Sequence, residues 1–331
     1  MTEFTFVSTS DIHISDVNPP SRLDDFKESI FEKLAQMRGA CKKLNADAAL
    51  IAGDLYNIKN PAKNSHTLNQ QLIAEFKQFP CPIYMIEGNH DLTANRLESI
   101  KDQPLGVLFE DKTLLRLRHE IIEKNGVKIS LIGVPFTEDL DLETLAIPEK
   151  GSDIKAQICL MHIYAGMRPG MLFQERLFGY DELAKLSPDI FVLGHYHVDQ
   201  GIEEINGKYF ISLGSLSRGT LAEETIDHEP KLGFIRISVD DNGNAEKTVR
   251  SIKLRVKPAS EVFDLVKKEE EKKENENIKM FVEKLAEETA GVTVEKGDVF
   301  ESIIEKMKVA TVIRDRVLHY IQEARSIKQL K

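Results

Sequence analysis

Cysteine is scarce in this chain. Cys41, Cys81 and Cys159 are the three present, far apart and without a C-x-x-C pair, so neither a thiolate zinc site nor a redox dithiol is expected and the thiols read as reduced core residues. No run approaches the ~20 consecutive apolar residues of a membrane helix. The amino terminus, MTEFTFVSTSD, has no basic segment followed by an apolar one. A cytoplasmic chain without membrane association is the expectation. Basic residues are in deficit as well: 44 Lys and Arg against 54 Asp and Glu leave a formal net charge of -10. That balance argues against strong non-specific binding of a polyanion by this chain alone. A metal-centred site stays open, because bound divalent cations reverse the local field. At 331 residues and 41% hydrophobic, the chain can fold into one large domain with an accessory one.

Apolar spacing sets out the elements. A strand over 3–9 ends just before Asp11, and from about Arg22 the residues Phe26, Ile30, Leu34, Met37, Cys41 and Leu44 recur at helical steps. A strand at 48–52 ends at Gly53-Asp54, Leu68, Leu72, Phe76 and Phe79 mark a second helix, and a third strand covers 82–86. This β-α-β-α-β rhythm favours parallel pairing. Strands near 114–118, 128–134, 156–161 and 190–193 follow. Beyond them, 208–213, 232–239 and 245–256 are strand-like with no helix between, and Asp241-Asn242-Gly243 supplies a hairpin turn. An antiparallel second layer completing a β-sandwich with helices outside is expected, an α/β fold. At Pro258 the composition shifts. Residues 267–277 read KKEEEKKENEN, and Val299, Ile303, Ile304 and Met307, then Val309, Ile313, Val317 and Tyr320, form helical stripes. The domain boundary is placed there, dividing 1–257 from a charged linker and helical, partner-binding region at 258–331.

Five motifs stand in order after successive apolar runs: Asp11-Ile12-His13, Gly53-Asp54, Gly88-Asn89-His90-Asp91, Met161-His162 and Gly194-His195-Tyr196-His197. Strand ends are where open α/β sheets bind ligands. Singly, each motif is weak: Gly-Asp after a strand is an ordinary turn, and an isolated His162 would be a satisfied core histidine. The ordered set carries more. Hydrolysis of a phosphate ester needs a strong nucleophile at neutral pH and compensation of charge on the non-bridging oxygens, and two divalent cations about 3.5–4 Å apart supply both. We assign Asp11, His13, Asp54 and His197 to one ion and Asp54, Asn89, His162 and His195 to the other, with Asp54 bridging. Carboxylates, imidazoles and one amide oxygen suit Mn²⁺ or Fe²⁺ best, with Mg²⁺ a further option. His90 is left to contact the phosphate or protonate the leaving oxygen, with Asp91 fixing its tautomer, which makes both catalytic. His66, His119, His228 and His319 read as surface or packing residues. Arg96, Arg168, Arg176, Arg218, Lys59 and Lys63 lie in loops that could line a phosphate groove, although a solvated loop charge is the ordinary role of any one of them.

On these motifs the chain resembles the calcineurin-like metallophosphoesterases over about residues 1–255. Gly53-Asp54-Leu55-Tyr56 followed by Pro61, and Leu213-Gly214-Ser215-Leu216-Ser217-Arg218 after the double His, are similar to the Mre11/SbcD nuclease branch, including its bacterial and phage versions. The resemblance implies a four-layer metallophosphoesterase sandwich. It implies a Mn²⁺-dependent DNA nuclease of repair and recombination, acting as a 3′ to 5′ double-strand exonuclease and a single-strand endonuclease. The implied partner is a Rad50/SbcC-like ATPase whose coiled coil the C-terminal helices would meet, and a homodimer is compatible with this. Asn57 departs from the branch, which often has His there, so a substrate-positioning role does not carry over to it. The alternatives are a small-substrate phosphodiesterase or phosphatase of the same superfamily, for which the region beyond 258 is superfluous, and a non-catalytic scaffold, against which the intact ligand set argues.

Overall fold

Side chains alternate along β1 (Thr2–Thr9) and β2 (Ala48–Ala52): Phe4, Phe6, Ala48, Leu50 and Ala52 face one core, while Val7, Ala49 and Ile51 face another. Strands buried on both faces must lie between layers. In the computed structural model, which describes residues 1–172, 175–219 and 226–266, β1 and β2 run parallel to β3 (Ile83–Ile86) and β4 (Leu115–Arg116) in a six-stranded sheet. The second six-stranded sheet contains β5 (His119–Lys124), β6 (Val127–Val134), β7 (Ile154–Ile163), β11 (Ile190–His195), β12 (Asp199–Ile205) and β13 (Lys208–Leu213). Between β7 and β11 a small sheet forms from β8 (Ala165–Gly166), β9 (Gly170–Leu172) and β10 (Glu175–Gly179).

Helices α1 (Phe26–Leu44), α2 (His66–Phe76) and α3 (Pro104–Glu110) cover the first sheet with Phe26, Ile30, Leu34, Met37, Leu68, Leu72, Leu105 and Leu108, all buried. The spacing places the start of α1 near Arg22. It begins at Phe26 because the Asp25 carboxylate accepts the Glu28 N–H as N-cap, and it ends at Asn45, left-handed at φ 48°. The outer face of the second sheet packs Cys159, Met161 and Phe191 against Phe178, Tyr180 and Leu183, the last two on the short α4 (Tyr180–Leu183). The result is the four-layer arrangement of an α/β sandwich.

The three C-terminal strand segments do not make one layer as expected. β13 lies parallel to β11 in the second sheet, whereas β14 (Lys231–Val239) extends the first sheet antiparallel to β1 and β15 (Ala245–Lys253) pairs antiparallel with β14 at its edge. The cause is burial: Ile235, Ile237 and Val239 fill the core between the sheets while their strand covers the edge of β1. The hairpin joining β14 and β15 turns at Asp240–Asn244 with Gly243 at φ 83°. β5, HEIIEK, is mostly exposed and polar, and its strand character comes from pairing with β6.

Met1–Phe263 form one compact unit and Asp264–Lys331 a second. Residues 258–263, grouped by composition with the C-terminal region, belong to the first unit. Val262, on α5 (Ala259–Val262), and Phe263 are buried, and Phe263 lies under the guanidinium groups of Arg22 and Arg218. The charged run and the apolar stripes at 299–320 lie outside the described residues. No helix among the described residues is long and apolar enough to cross a membrane.

Candidate metal centre

Parallel pairing of β1 with β2 carries their following loops side by side. Asp11 N–H donates to Gly53 O (3.1 Å), His13 N–H to Asp54 O (3.0 Å) and Ile14 N–H to Leu55 O (2.8 Å). In the second sheet, His162 on β7 stands opposite Gly194 and Ile163 opposite His195. Asp11, His13, Asp54 and His195 all adopt left-handed backbone, at φ 52°, 49°, 56° and 84°. Such conformations cost on the order of 1–3 kcal/mol each for non-glycine residues and persist where the surroundings over-determine them. The motif glycines have steric causes. A Cβ on Gly53, itself at φ 89°, would come within 2.3 Å of His162 Nδ1, and one on Gly88 within 2.1 Å of Asp54 Oδ1.

Two overlapping groups result. Asp11, His13, Asp54 and His197 offer ligand atoms within 4.8 Å of one another, and so do Asp54, His162 and His195. Asn89 joins the second group, its Oδ1 lying 3.2 Å from His162 Nε2. Asp54 belongs to both: its Oδ2 is 3.3 Å from His162 Nε2 and 3.5 Å from His13 Nε2. That oxygen and His13 Nδ1 are buried without a hydrogen-bond partner. The Nε2 atoms of His13 and His197 are 2.9 Å apart, with Asp11 Oδ1 3.6 Å from the latter. Ligand atoms converging from carboxylate, amide and imidazole, with Asp54 Oδ2 left unpartnered between them, fit a pair of divalent cations. His162 Nδ1–H donates to Ala52 O at 2.8 Å, which leaves Nε2 as its ligand atom.

The electrostatics express the same need for cations. Burial raises the Asp11 carboxyl above its ordinary range. Burial also works to raise Asp54, but the His162 and His13 charges overcome it and hold that carboxyl well below the usual range. His162 resists burial through the Asp54 and Asp11 carboxylates and is carried up to about 9. Burial drives His13 well below its ordinary value, and burial together with His162 takes His195 down to about 2. The raised imidazole of His162 carries positive charge beside the Asp54 and Asp11 carboxylates, where bound cations would also be compensated.

His90 lies at the edge of this centre, with its ring 4.7 Å from that of His13. Its Nδ1–H donates to the Asn57 carbonyl at 2.8 Å, so the main chain of Asn57 sets its tautomer. This corrects the role expected for Asp91. The Asp91 carboxylate is buried and accepts main-chain N–H groups from Asp54 (2.9 Å), Leu55 (3.0 Å), Tyr56 (3.2 Å) and Gly88 (3.0 Å). It braces two loops, and its oxygens are spent on them. Arg218 is also placed differently from the groove expectation: it is 4% exposed and donates to the Lys257 and Ile226 carbonyls.

Sequence reasoning missed two contributors. Ser215 Oγ–H donates to Asp11 O at 2.7 Å, and the segment Leu213–Arg218 was the signal for it. Glu175 Oε2 lies 3.0 Å from His195 Nε2, and no motif contains it. Beside His162 and His195 opens a cavity of about 420 Å³ lined in part by Phe136, Tyr164, Phe178, Glu138, Asp139 and Arg176.

A family model described as calcineurin-like phosphoesterase matches residues 4–199, more than half of the chain, from β1 past His197. The chain belongs to this family. This phosphoesterase is therefore a metal-binding hydrolase. It is similar to the DNA double-strand break repair protein Mre11 of Sulfurisphaera tokodaii, 23% identical over 257 residues that make up 75% of this chain and 64% of the relative. It is also similar to the uncharacterized metallophosphoesterase YhaO of Bacillus subtilis, 25% identical over 215 residues, 60% of this chain and 50% of that one. The chain thus spans between half and two thirds of the length of these relatives. A crystal structure of a candidate 5′-nucleotidase from Staphylococcus aureus shares the fold, with a TM-score of 0.52, 14% identity and coverage of 77% of this chain and 55% of that chain.

Proposed function

We propose that this phosphoesterase is a Mn²⁺-dependent DNA nuclease, a 3′ to 5′ double-strand exonuclease and single-strand endonuclease, and the nuclease subunit of an assembly with a Rad50/SbcC-like ATPase. The observation that carries it is the 257-residue match to an Mre11 protein, longer than the family match, together with a second Mre11 relative from Archaeoglobus fulgidus at 24% identity over 66% of this chain. When bound, the two ions supply an acidified water and a clamp for the phosphate oxygens. Asp54, common to both ligand groups, would hold both ions, His162 with its Nδ1–H on the Ala52 carbonyl would ligate through Nε2, and His90 with Nδ1 on the Asn57 carbonyl would offer Nε2 to the phosphate or its leaving oxygen. With a net charge of -10, the chain holds DNA through the centre and through its partner, and residues 264–331 supply the docking region.

A second reading, hydrolysis of a small phosphodiester or monoester, is favoured by the cavity of about 420 Å³, whose acidic rim of Glu138, Asp139 and Glu175 disfavours a polyanion. The readings separate on substrate. With Mn²⁺, the nuclease reading expects shortening of 5′-labelled duplex strands and nicking of single-stranded circles, both abolished in Asp54→Asn. Turnover confined to nucleotides and chromogenic diesters, even with a Rad50-like ATPase added, would establish the second reading.

A further inference from the structure

Glu175 opens β10, in the small sheet that walls the cavity, and stands outside every sequence motif. Its Oε2 is 3.0 Å from Nε2 of His195, a residue already held by its main-chain N–H on Asp11 Oδ1 at 3.0 Å. A carboxylate only accepts, so this contact requires the proton on Nε2 and leaves the lone pair of a neutral ring on Nδ1. Glu175 itself is in neither group of convergent ligand atoms. Its role toward the centre is through the imidazole.

His162 and His195 share one group yet present opposite nitrogens. For His162 the orienting partner is the Ala52 carbonyl, fixed within β2. For His195 it is a side chain on a separate sheet, with 48% of its surface exposed beside the cavity. We propose that Glu175 is a positioning residue: it holds His195 as the Nε2–H tautomer, presents Nδ1 to the ion shared with Asp54, Asn89 and His162, and ties the β8–β10 sheet to that ion. The contact is a carboxylate–histidine–metal relay, a kind whose loss costs about 10–100-fold in metal affinity.

The test uses the full chain, stripped of metal and titrated with MnCl₂ by calorimetry, with EPR to detect the coupled ion pair. Glu175→Ala is expected to weaken one of the two sites by about 10–100-fold and to leave the other within about threefold, so that at equal loading mononuclear Mn²⁺ replaces the coupled signal. Glu175→Gln keeps an acceptor oxygen and is expected to restore most of the affinity. Unchanged affinity in Glu175→Ala overturns the proposal. Equal loss at both sites, or equal impairment in Ala and Gln with a lowered metal-free Tm, also overturns it and assigns Glu175 to folding. DNA is not part of the readout, so failure of the nuclease reading leaves this result intact.

Discussion

Asp54 and Asp91 are joined through the main chain: the Asp54 N–H donates to Asp91 Oδ2 at 2.9 Å, so the residue common to both ligand groups is set by a buried carboxylate that stands in neither. Asp91→Ala would leave the N–H groups of Asp54, Leu55, Tyr56 and Gly88 without their acceptor. Each unmet buried donor costs about 1–3 kcal/mol, and with partial rescue by water we expect a loss of roughly 3–5 kcal/mol in urea unfolding without metal. Asp91→Asn keeps one acceptor oxygen and should lose less. Normal stability with activity alone lost would return Asp91 to a chemical role.

His90→Ala should separate metal content from rate. The ring belongs to neither ligand group and is held by the Asn57 carbonyl. Bound Mn²⁺ is expected to stay at wild-type stoichiometry while cleavage falls about 10²–10⁴-fold, the range for a lost general acid. Metal loss reversed by excess Mn²⁺ would instead make His90 a ligand.

Lys33 gives a pH signature far from the centre. It is 3% exposed on α1, and burial, followed by the Arg22 and Arg218 charges, pushes its ammonium down to about 7 from 10.5. Between these values the unfolded chain binds a proton there that the folded protein does not. Stability therefore rises with pH in this window, by at most about 1.4 kcal/mol per pH unit, and the full penalty is present below about 7. Lys33→Met should be more stable than the parent at pH 6 and lack the gain between pH 7 and 9. Parallel unfolding curves for both proteins across that range would refute the assignment.

Truncation tests where the catalytic unit ends. Cutting after Lys257 removes Val262 and Phe263, both buried, at about 1.5–3 kcal/mol for each buried side chain. Ending the chain at Val266 spares them. The variant ending at Val266 should keep its Tm and its turnover of a small diester while losing association with a Rad50-like ATPase. Unfolding of that variant would instead place residues 299–320 with the catalytic unit.

Much of this protein was legible in its sequence because the information is local. The apolar run at 48–52 and the helical steps from Phe26 to Leu44 follow from backbone period, and the five motifs sit at or just beyond strand ends, where an open α/β sheet gathers its ligands. The hairpin at Asp240–Asn244 was readable from its turn residues.

Tertiary structure decided what depends on partners distant in the chain. β14 lies against β1 because its apolar face completes the core between the sheets, and nothing within Lys231–Val239 names that neighbour. The His195 N–H reaches Asp11 across 184 residues. Asp91 serves four main-chain donors rather than the adjacent His90 because loop packing, and not sequence adjacency, determines which groups its oxygens meet. Glu175 belongs to no motif, since a single hydrogen bond to an imidazole demands a position in space and imposes no spacing along the chain.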